Sequence, residues 1–343
     1  MIEVGILGAT GAVGQRFVEL LDDHPFFSLS AVTASEDSVG KRYEEAAKWR
    51  VDTPIPDSIR DLTVGATRPD SIPDDVDLVF SSLPSSVAER VEPDFLEAGY
   101  VVSSNSSNAR LDDDVPLVIP EVNPEHMQLI DVQREKRGWS GALVKNPNCS
   151  TITMVPPLAA LDRFGIEAIQ VSTLQAVSGA GYSGVTSMEI IDNALPYIGG
   201  EEEKMETESK KLLGELGEGS VAWHDALVAA SCNRIPTIDG HLENVFVELE
   251  EEPSVEDVKA ALRGAPTQDL PTAPDPLIHV FDDPTRPQPR LDRLVGDGMA
   301  IAVGGVKRTD RGVHFNVLSH NTIRGAAGAS VLNGELLVEQ GWL

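Results

Sequence analysis

A chain of 343 residues is longer than one compact core usually spans, so two domains are expected, and a hydrophobic content of 41% is ample to fold them. The formal net charge of −28, from 55 acidic against 27 basic residues, excludes nucleic acid and anionic membrane as partners, because such a surface repels polyanions. No apolar run of about 18 residues is present, the chain opens directly on a strand-like stretch, and its 2 cysteines form neither a disulfide framework nor a CxxC metal pattern; a soluble, cytoplasmic protein without structural zinc is expected.

The opening IEVGILGATGAVGQRFVELL predicts a strand over 2–7, a glycine turn, and an apolar-periodic helix to about Leu21. Strands are predicted at 29–35, 77–84 and 100–106, with a helix over 85–99. Strand, turn and helix in repetition predict an α/β fold with a doubly wound parallel sheet. Beyond residue 148 the texture changes. Longer strands over 166–177, 244–250, 298–308 and 313–321 predict a second, mixed or antiparallel sheet, with a polar helix at 201–216 between them and a proline-rich loop at 263–277. The end, RGAAGASVLNGELLVEQGWL, has helical spacing and is expected to pack back on the first domain. The acidic residues are dispersed through this apolar sequence, as in PDDVD, LDDDVP and VELEEEPS, and read as a solvated face. A high-salt cytoplasm would explain them, a hypothesis that unchanged folding and activity on removing salt would contradict.

Between the first strand and helix, GATGAVG sets Gly8, Gly11 and Gly14 where a dinucleotide pyrophosphate meets a helix start. The GxxGxxG spacing also fits a tight strand-to-helix turn, but the strand and helix around it favour cofactor binding. After the second strand, Ser35, Ser38 and Lys41 suit a 2′-phosphate and so NADP, while Glu36 and Asp37 pull toward NAD.

NPNCSTITMV holds Cys149, whose polar neighbours distinguish it from Cys232 in VAASCNRIP, read as a buried small hydrophobe. A helix starting just after Cys149 would lower the thiol pKa through its dipole, although Pro156 and Pro157 predict a kink or early stop. A nucleophilic Cys needs a base brought close by the fold, and His241, at a turn beside Gly240, is the best candidate. Arg234 could clamp a carboxylate nearby. Arg110 and Lys204, taken alone, read equally as surface charges.

GATGAVGQRF, FSSLP, SNSSNAR, NPNCSTI, LQAVSGAGYSG, PYIGGEEEKMETESKKLLG, NRIPTIDGH and SHNTIRGAAGAS together carry a resemblance that spacing does not supply. The chain resembles the aspartate-semialdehyde dehydrogenases, in the branch common in archaea and fungi, nearly end to end. The resemblance implies a glyceraldehyde-phosphate-dehydrogenase-like architecture. A Rossmann-type dinucleotide-binding domain (1–148) is completed by a C-terminal helix (322–343), beside an α+β catalytic and dimerisation domain (149–321). It casts Cys149 as nucleophile, His241 as acid/base, and Gln175 as the group that orients the acyl intermediate. Arg234 would bind the substrate carboxylate, and Arg110 and Lys204 phosphate; Glu202 would hold the amine, with Glu201 and Glu203 as neighbouring alternatives. NADP would lie against Gly8, Thr10, Gly11, Ala12, Val13, Gly14, Ser35, Ser38, Ser82, Ser178, Gly179 and Asn321. Relatives often carry a basic residue between the two serines, where Glu36 and Asp37 stand here.

The activity implied is NADPH-dependent conversion of aspartyl phosphate to aspartate semialdehyde and phosphate through a Cys149 thioester, for lysine, methionine and threonine biosynthesis, in a homodimer or homotetramer. The Cys149 backbone N–H and a neighbour would stabilise the oxyanion. Rival readings are a malonyl-CoA reductase on the same scaffold, an N-acetylglutamyl-phosphate reductase, and a non-catalytic dinucleotide sensor.

Overall fold

The computed structural model describes every residue of the chain except Ser183, so that one position of the LQAVSGAGYSG motif lies outside the described residues. Six strands, β1 (Ile2–Leu7), β2 (Phe27–Ala34), β3 (Gly65–Ala66), β4 (Val76–Ser81), β5 (Val101–Ser104) and β6 (Ala142–Lys145), form an all-parallel sheet in the order β3-β2-β1-β4-β5-β6. β5 and β6 are buried at every residue, as strands covered on both faces must be. The strand order reverses between β1 and β4, and a crevice for a ligand opens beyond the carboxyl ends of such a pair. There Ser82, just past β4, donates from Oγ to the carbonyls of Leu7 and Gly8, 3.1 Å each, tying the glycine turn to the next strand.

The second sheet is mixed. Its strands are β7 (Ile166–Gln175), β8 (Leu195–Pro196), β11 (Leu227–Arg234), β12 (His241–Leu249), β13 (Ile278–Val280), β14 (Ile301–Thr309) and β15 (Gly312–Ser319), in the order β13-β14-β15-β12-β7-β11-β8; a short ribbon, β9 (Glu215–Leu216) with β10 (Val221–Ala222), stands apart. β7 pairs with β11, and β13 with β14, in parallel; the other pairs are antiparallel. Along β12 residues alternate buried and partly buried, so His241, Glu243, Val245, Val247 and Leu249 share the inner face.

That face is covered by the helix Cys149–Leu161, which also packs on the helices Glu201–Leu212 and Val255–Arg263. Here the structure departs from the sequence expectation. Pro156 and Pro157 lie inside this helix and do not stop it. Each removes a backbone donor, but the segment is enclosed on nearly every side, and burial of Ile152, Met154, Val155, Leu158 and Leu161 holds the helical path. At the carboxyl end, a π-helical turn Ile323–Ala327 leads into the helix Gly328–Glu339, which packs against the helix Ala12–Leu20, β4 and β5 of the first sheet. Arg324 is fully buried there and makes a two-pronged pair with Glu121, at 2.7 and 2.9 Å.

Candidate active site

A cavity of about 490 Å³ lies between the carboxyl ends of the first sheet and the edge of the second. Cys149, Gln175, Arg234, Arg110 and Lys204 line it, together with Gly11, Ala12, Val13, Ser82, Ser178, Gly179 and Asn321. The fold therefore brings together residues from eight separate stretches of chain.

Cys149 is the first residue of its helix, so its backbone N–H has no intrahelical acceptor and stays available to a ligand. Asn148 caps the helix: its Oδ1 accepts from the N–H groups of Ser150 and Thr151 at 3.0 and 3.2 Å. Cys149 Sγ stands 3.3 Å from His241 Nε2, and the N–H of Ala176 donates to His241 Nδ1 at 3.1 Å. Since Nδ1 accepts, the neutral ring carries its proton on Nε2, facing the sulfur. Gly179 packs against this pair so closely that a Cβ there would meet Arg234 Nη1 at 2.9 Å and His241 Cε1 at 3.4 Å. Behind them Gln175 is buried at the end of β7 with its Nε2 unpartnered among the described residues.

Three cations face the cavity. Arg234 is anchored through Nη1 to the Ala176 carbonyl, 2.8 Å. Arg110, buried, donates from Nη1 to Glu208 Oε1 at 2.8 Å and from Nη2 to the Asn105 carbonyl at 2.6 Å. Lys204 Nζ donates to Glu201 Oε1, 2.8 Å, and Glu201 Oε2 accepts from Asn148 Nδ2, also 2.8 Å. Glu201, not Glu202, lines the cavity; Glu202 turns to β11 and accepts from the Cys232 N–H at 3.1 Å. The helix period decides this: Glu201 and Lys204, three apart, share a face that Glu202 does not.

The glycine turn fits a dinucleotide. Gly8 has φ +85°, and a Cβ on Gly14 would meet the Gly8 carbonyl oxygen at 2.3 Å, so the helix Ala12–Leu20 starts hard against the end of β1. Gly8, Thr10 and Gly14 shape this turn from behind and are not among the lining residues; Thr10 offers its carbonyl to Gln15 Nε2 at 3.0 Å. Ser35 and Ser38 lie outside the cavity, on a turn directly after β2, and Lys41 Nζ is turned to the Asp37 carbonyl, 2.6 Å. Asn321 ties together three strand ends of the second sheet, accepting from Gly240 N–H and donating to Ser178 Oγ, 2.8 Å each.

Residues 3–130 match the semialdehyde dehydrogenase NAD binding domain, and residues 156–324 the semialdehyde dehydrogenase dimerisation domain. The chain is 51% identical to the aspartate-semialdehyde dehydrogenase of Archaeoglobus fulgidus, with 98% of each chain covered, and 51% identical to that of Methanothermobacter thermautotrophicus, with 99% of each covered. The chain belongs to the aspartate-semialdehyde dehydrogenase family. It superposes on a crystal structure of the Candida albicans aspartate semialdehyde dehydrogenase with NADP at a TM-score of 0.91 and 41% identity, with 100% of both chains covered.

In this member of the aspartate-semialdehyde dehydrogenase family the surroundings of Cys149 act against the helix start. Burial pushes the Cys149 thiol up to about 12, and the Glu201 and Glu243 carboxyls push the same way, against Arg234 and Arg110. This direction is opposite to the lowering expected from the helix start. His241 is lowered to about 3, by burial first and then by Arg234 and His320, so the ring stays neutral. Glu243, two residues on along β12, is fully buried with both oxygens unpartnered among the described residues, and burial raises it well above the carboxylate range.

Sequence reasoning offered Glu201 only as an alternative to Glu202, and missed Asn148 and Gly325, which line the cavity, and Glu208, which is bonded to Arg110 and Asn148. A polar residue directly before an apolar helix signals a cap, and the 201, 204, 208 spacing marks one helix face; both signals were present. Gly325 gave none, since only the π-helical turn brings it to Cys149, where a Cβ would lie 2.8 Å from the Cys149 Cβ.

Proposed function

We propose that this chain catalyses the NADPH-dependent reductive dephosphorylation of aspartyl phosphate to aspartate semialdehyde, as a homo-oligomer in the cytoplasm, through a Cys149 thioester. The observation that carries this reading is the Cys149 sulfur 3.3 Å from His241 Nε2, at a cavity lined by three cations and bounded by the glycine turn.

Gly11, Ala12, Val13, Ser178, Gly179 and Asn321 would hold NADPH, which would supply the hydride. The chain's own residues do the rest. Arg234 binds the α-carboxylate, Glu201 the amine, and Arg110 and Lys204 the phosphate. The Cys149 sulfur attacks the acyl carbon as its thiol proton is given up, and phosphate departs with the electron pair of its C–O bond, taking up that proton. The Cys149 N–H and the free Gln175 Nε2–H stabilise the oxygen of each tetrahedral adduct; the Asn148 N–H is unsuited to this because Glu208 Oε2 holds it at 2.7 Å. His241 donates from Nε2 to the sulfur and to the developing oxyanion. When the reduced adduct collapses, the C–S bond breaks toward sulfur, and the returning thiolate takes up one proton from solvent to restore the thiol.

Ser35 and Ser38 hold the adenosine end in this reading, with Glu36 and Asp37 limiting the preference for NADP over NAD. The boundary between the domains falls at 148/149. A face for a second copy is supported by the dimerisation-domain match and by Leu227, Tyr197, Met188 and Ile191, apolar side chains exposed on or beside the β8–β11 edge. A cytoplasmic location suits a free reactive thiol.

The assay is reduction of NADP and of NAD, side by side, with aspartate semialdehyde and phosphate. Phosphate-dependent reduction is expected. A requirement for CoA in place of phosphate would favour the malonyl-CoA reductase reading, against which Arg110, Lys204 and Glu201 in one cavity already weigh.

A further inference from the structure

Glu208 is an acidic residue in a helix interior, buried and far in sequence from the nucleophile, yet both of its oxygens are committed. Oε1 accepts from Arg110 Nη1 at 2.8 Å and Oε2 from the backbone N–H of Asn148 at 2.7 Å. Asn148 is the residue before the nucleophile, and its side chain caps the Cys149 helix. One carboxylate therefore ties a cavity-lining guanidinium to the start of the helix that carries the sulfur.

The bonding leaves Arg110 usable. Of the five N–H donors of a guanidinium, Glu208 and the Asn105 carbonyl occupy one each, and Nε is unpartnered among the described residues. A fork pinned on two sides keeps the rest aimed at the cavity, and the paired carboxylate offsets part of its charge, so a bound dianion can also leave. The attachment to Asn148 fixes the spacing between this fork and Cys149. Displacement of about 1 Å in such a spacing can cost about a hundredfold in rate.

We propose that Glu208 is a positioning residue for the phosphate half of the reaction, setting Arg110 against the Cys149 thioester. In the reverse direction a phosphate oxygen attacks the thioester carbon, the C–S bond breaks, and its electron pair returns to Cys149; Glu208 governs this step and not the hydride step. The inference rests on the assignment of Arg110 to phosphate.

The two bonds separate in Glu208→Gln, whose amide oxygen still accepts from Asn148 while its NH2 cannot accept from Arg110. The test uses the full chain with aspartate semialdehyde and NADP. Without phosphate, a single burst of cofactor reduction reports thioester formation; with phosphate, steady-state turnover reports its release. E208Q is expected to keep the burst rate within about threefold and to raise KM for phosphate at least tenfold. R110A should raise KM for phosphate at least as much, and R110A/E208Q should raise it no further than R110A, because the two act through one contact. Equal loss of burst and turnover in E208Q would show a merely structural role and overturn the proposal, as would an unchanged phosphate KM in E208Q when R110A raises it. An unchanged phosphate KM in R110A overturns the Arg110 assignment and the inference with it. If E208Q does not fold, E208D, charged but too short to span both partners, is held to the same split.

Discussion

His241 Nε2 stands 3.3 Å from Cys149 Sγ, with its proton turned to the sulfur by the Ala176 N–H on the far side of the ring. Cys149→Ser should abolish turnover while cofactor affinity, read by fluorescence titration, stays within about twofold. His241→Ala should lower kcat about 10²- to 10⁴-fold. With burial pushing the thiol up to about 12, alkylation of Cys149 by iodoacetamide should climb steadily from pH 7 to pH 10 in the free protein. A plateau reached near neutrality would show the helix start and His241 overcoming burial.

The same ring sets part of the acid stability. His241 ordinarily titrates at 6.5 and is lowered to about 3 here, so between those values the unfolded chain binds a proton that the folded one refuses. Stability attributable to this group is therefore unchanged above pH 6.5 and falls as the pH drops below it, by up to ~1.4 kcal/mol per unit. His241→Asn should flatten the acid limb of urea unfolding midpoints by about one proton's worth. An equally steep limb would mean that the ring protonates in the fold.

Glu243 has the opposite sign. Its carboxyl, ordinarily at 4.5, is raised in the fold, so its contribution is fully present below 4.5 and is lost as the pH rises toward the folded value. Glu243→Gln cannot ionise. Relative to the parent it should gain stability steadily above pH 4.5, by up to ~1.4 kcal/mol per unit, and comparing the two proteins at each pH isolates this one group. A pH-independent difference would mean that Glu243 is ionised in the fold.

Gly179→Ala tests the close packing around the pair. Its Cβ would meet Arg234 Nη1 at 2.9 Å, and either the guanidinium or the 177–180 turn must shift. Because Arg234 is proposed to hold the carboxylate, KM for aspartate semialdehyde should rise about tenfold or more with little change in melting temperature. Unchanged kinetics would show that the turn yields without moving Arg234.

Much of this fold was legible because its signals are local. Strand and helix alternation over the first hundred residues, and the glycine turn between β1 and its helix, follow from patterning and backbone sterics alone. The reading erred where burial outweighed propensity. Pro156 and Pro157 read as a kink or an early stop, and the early stop does not occur: the helix continues through them inside the core. The helix start at Cys149 read as a low-pKa thiol, whereas burial and the Glu201 and Glu243 carboxyls push it the other way.

By itself the sequence determined the parallel dinucleotide-binding half and, through its motifs, the family. The tertiary structure decided which groups share a site and in what state: Glu201 over Glu202, Glu208 between Arg110 and Asn148, a neutral His241, and Gly325 against Cys149. The reason is that a helix face or a pKa depends on what packs around it, and the groups packed here come from residues up to about two hundred positions apart in the chain.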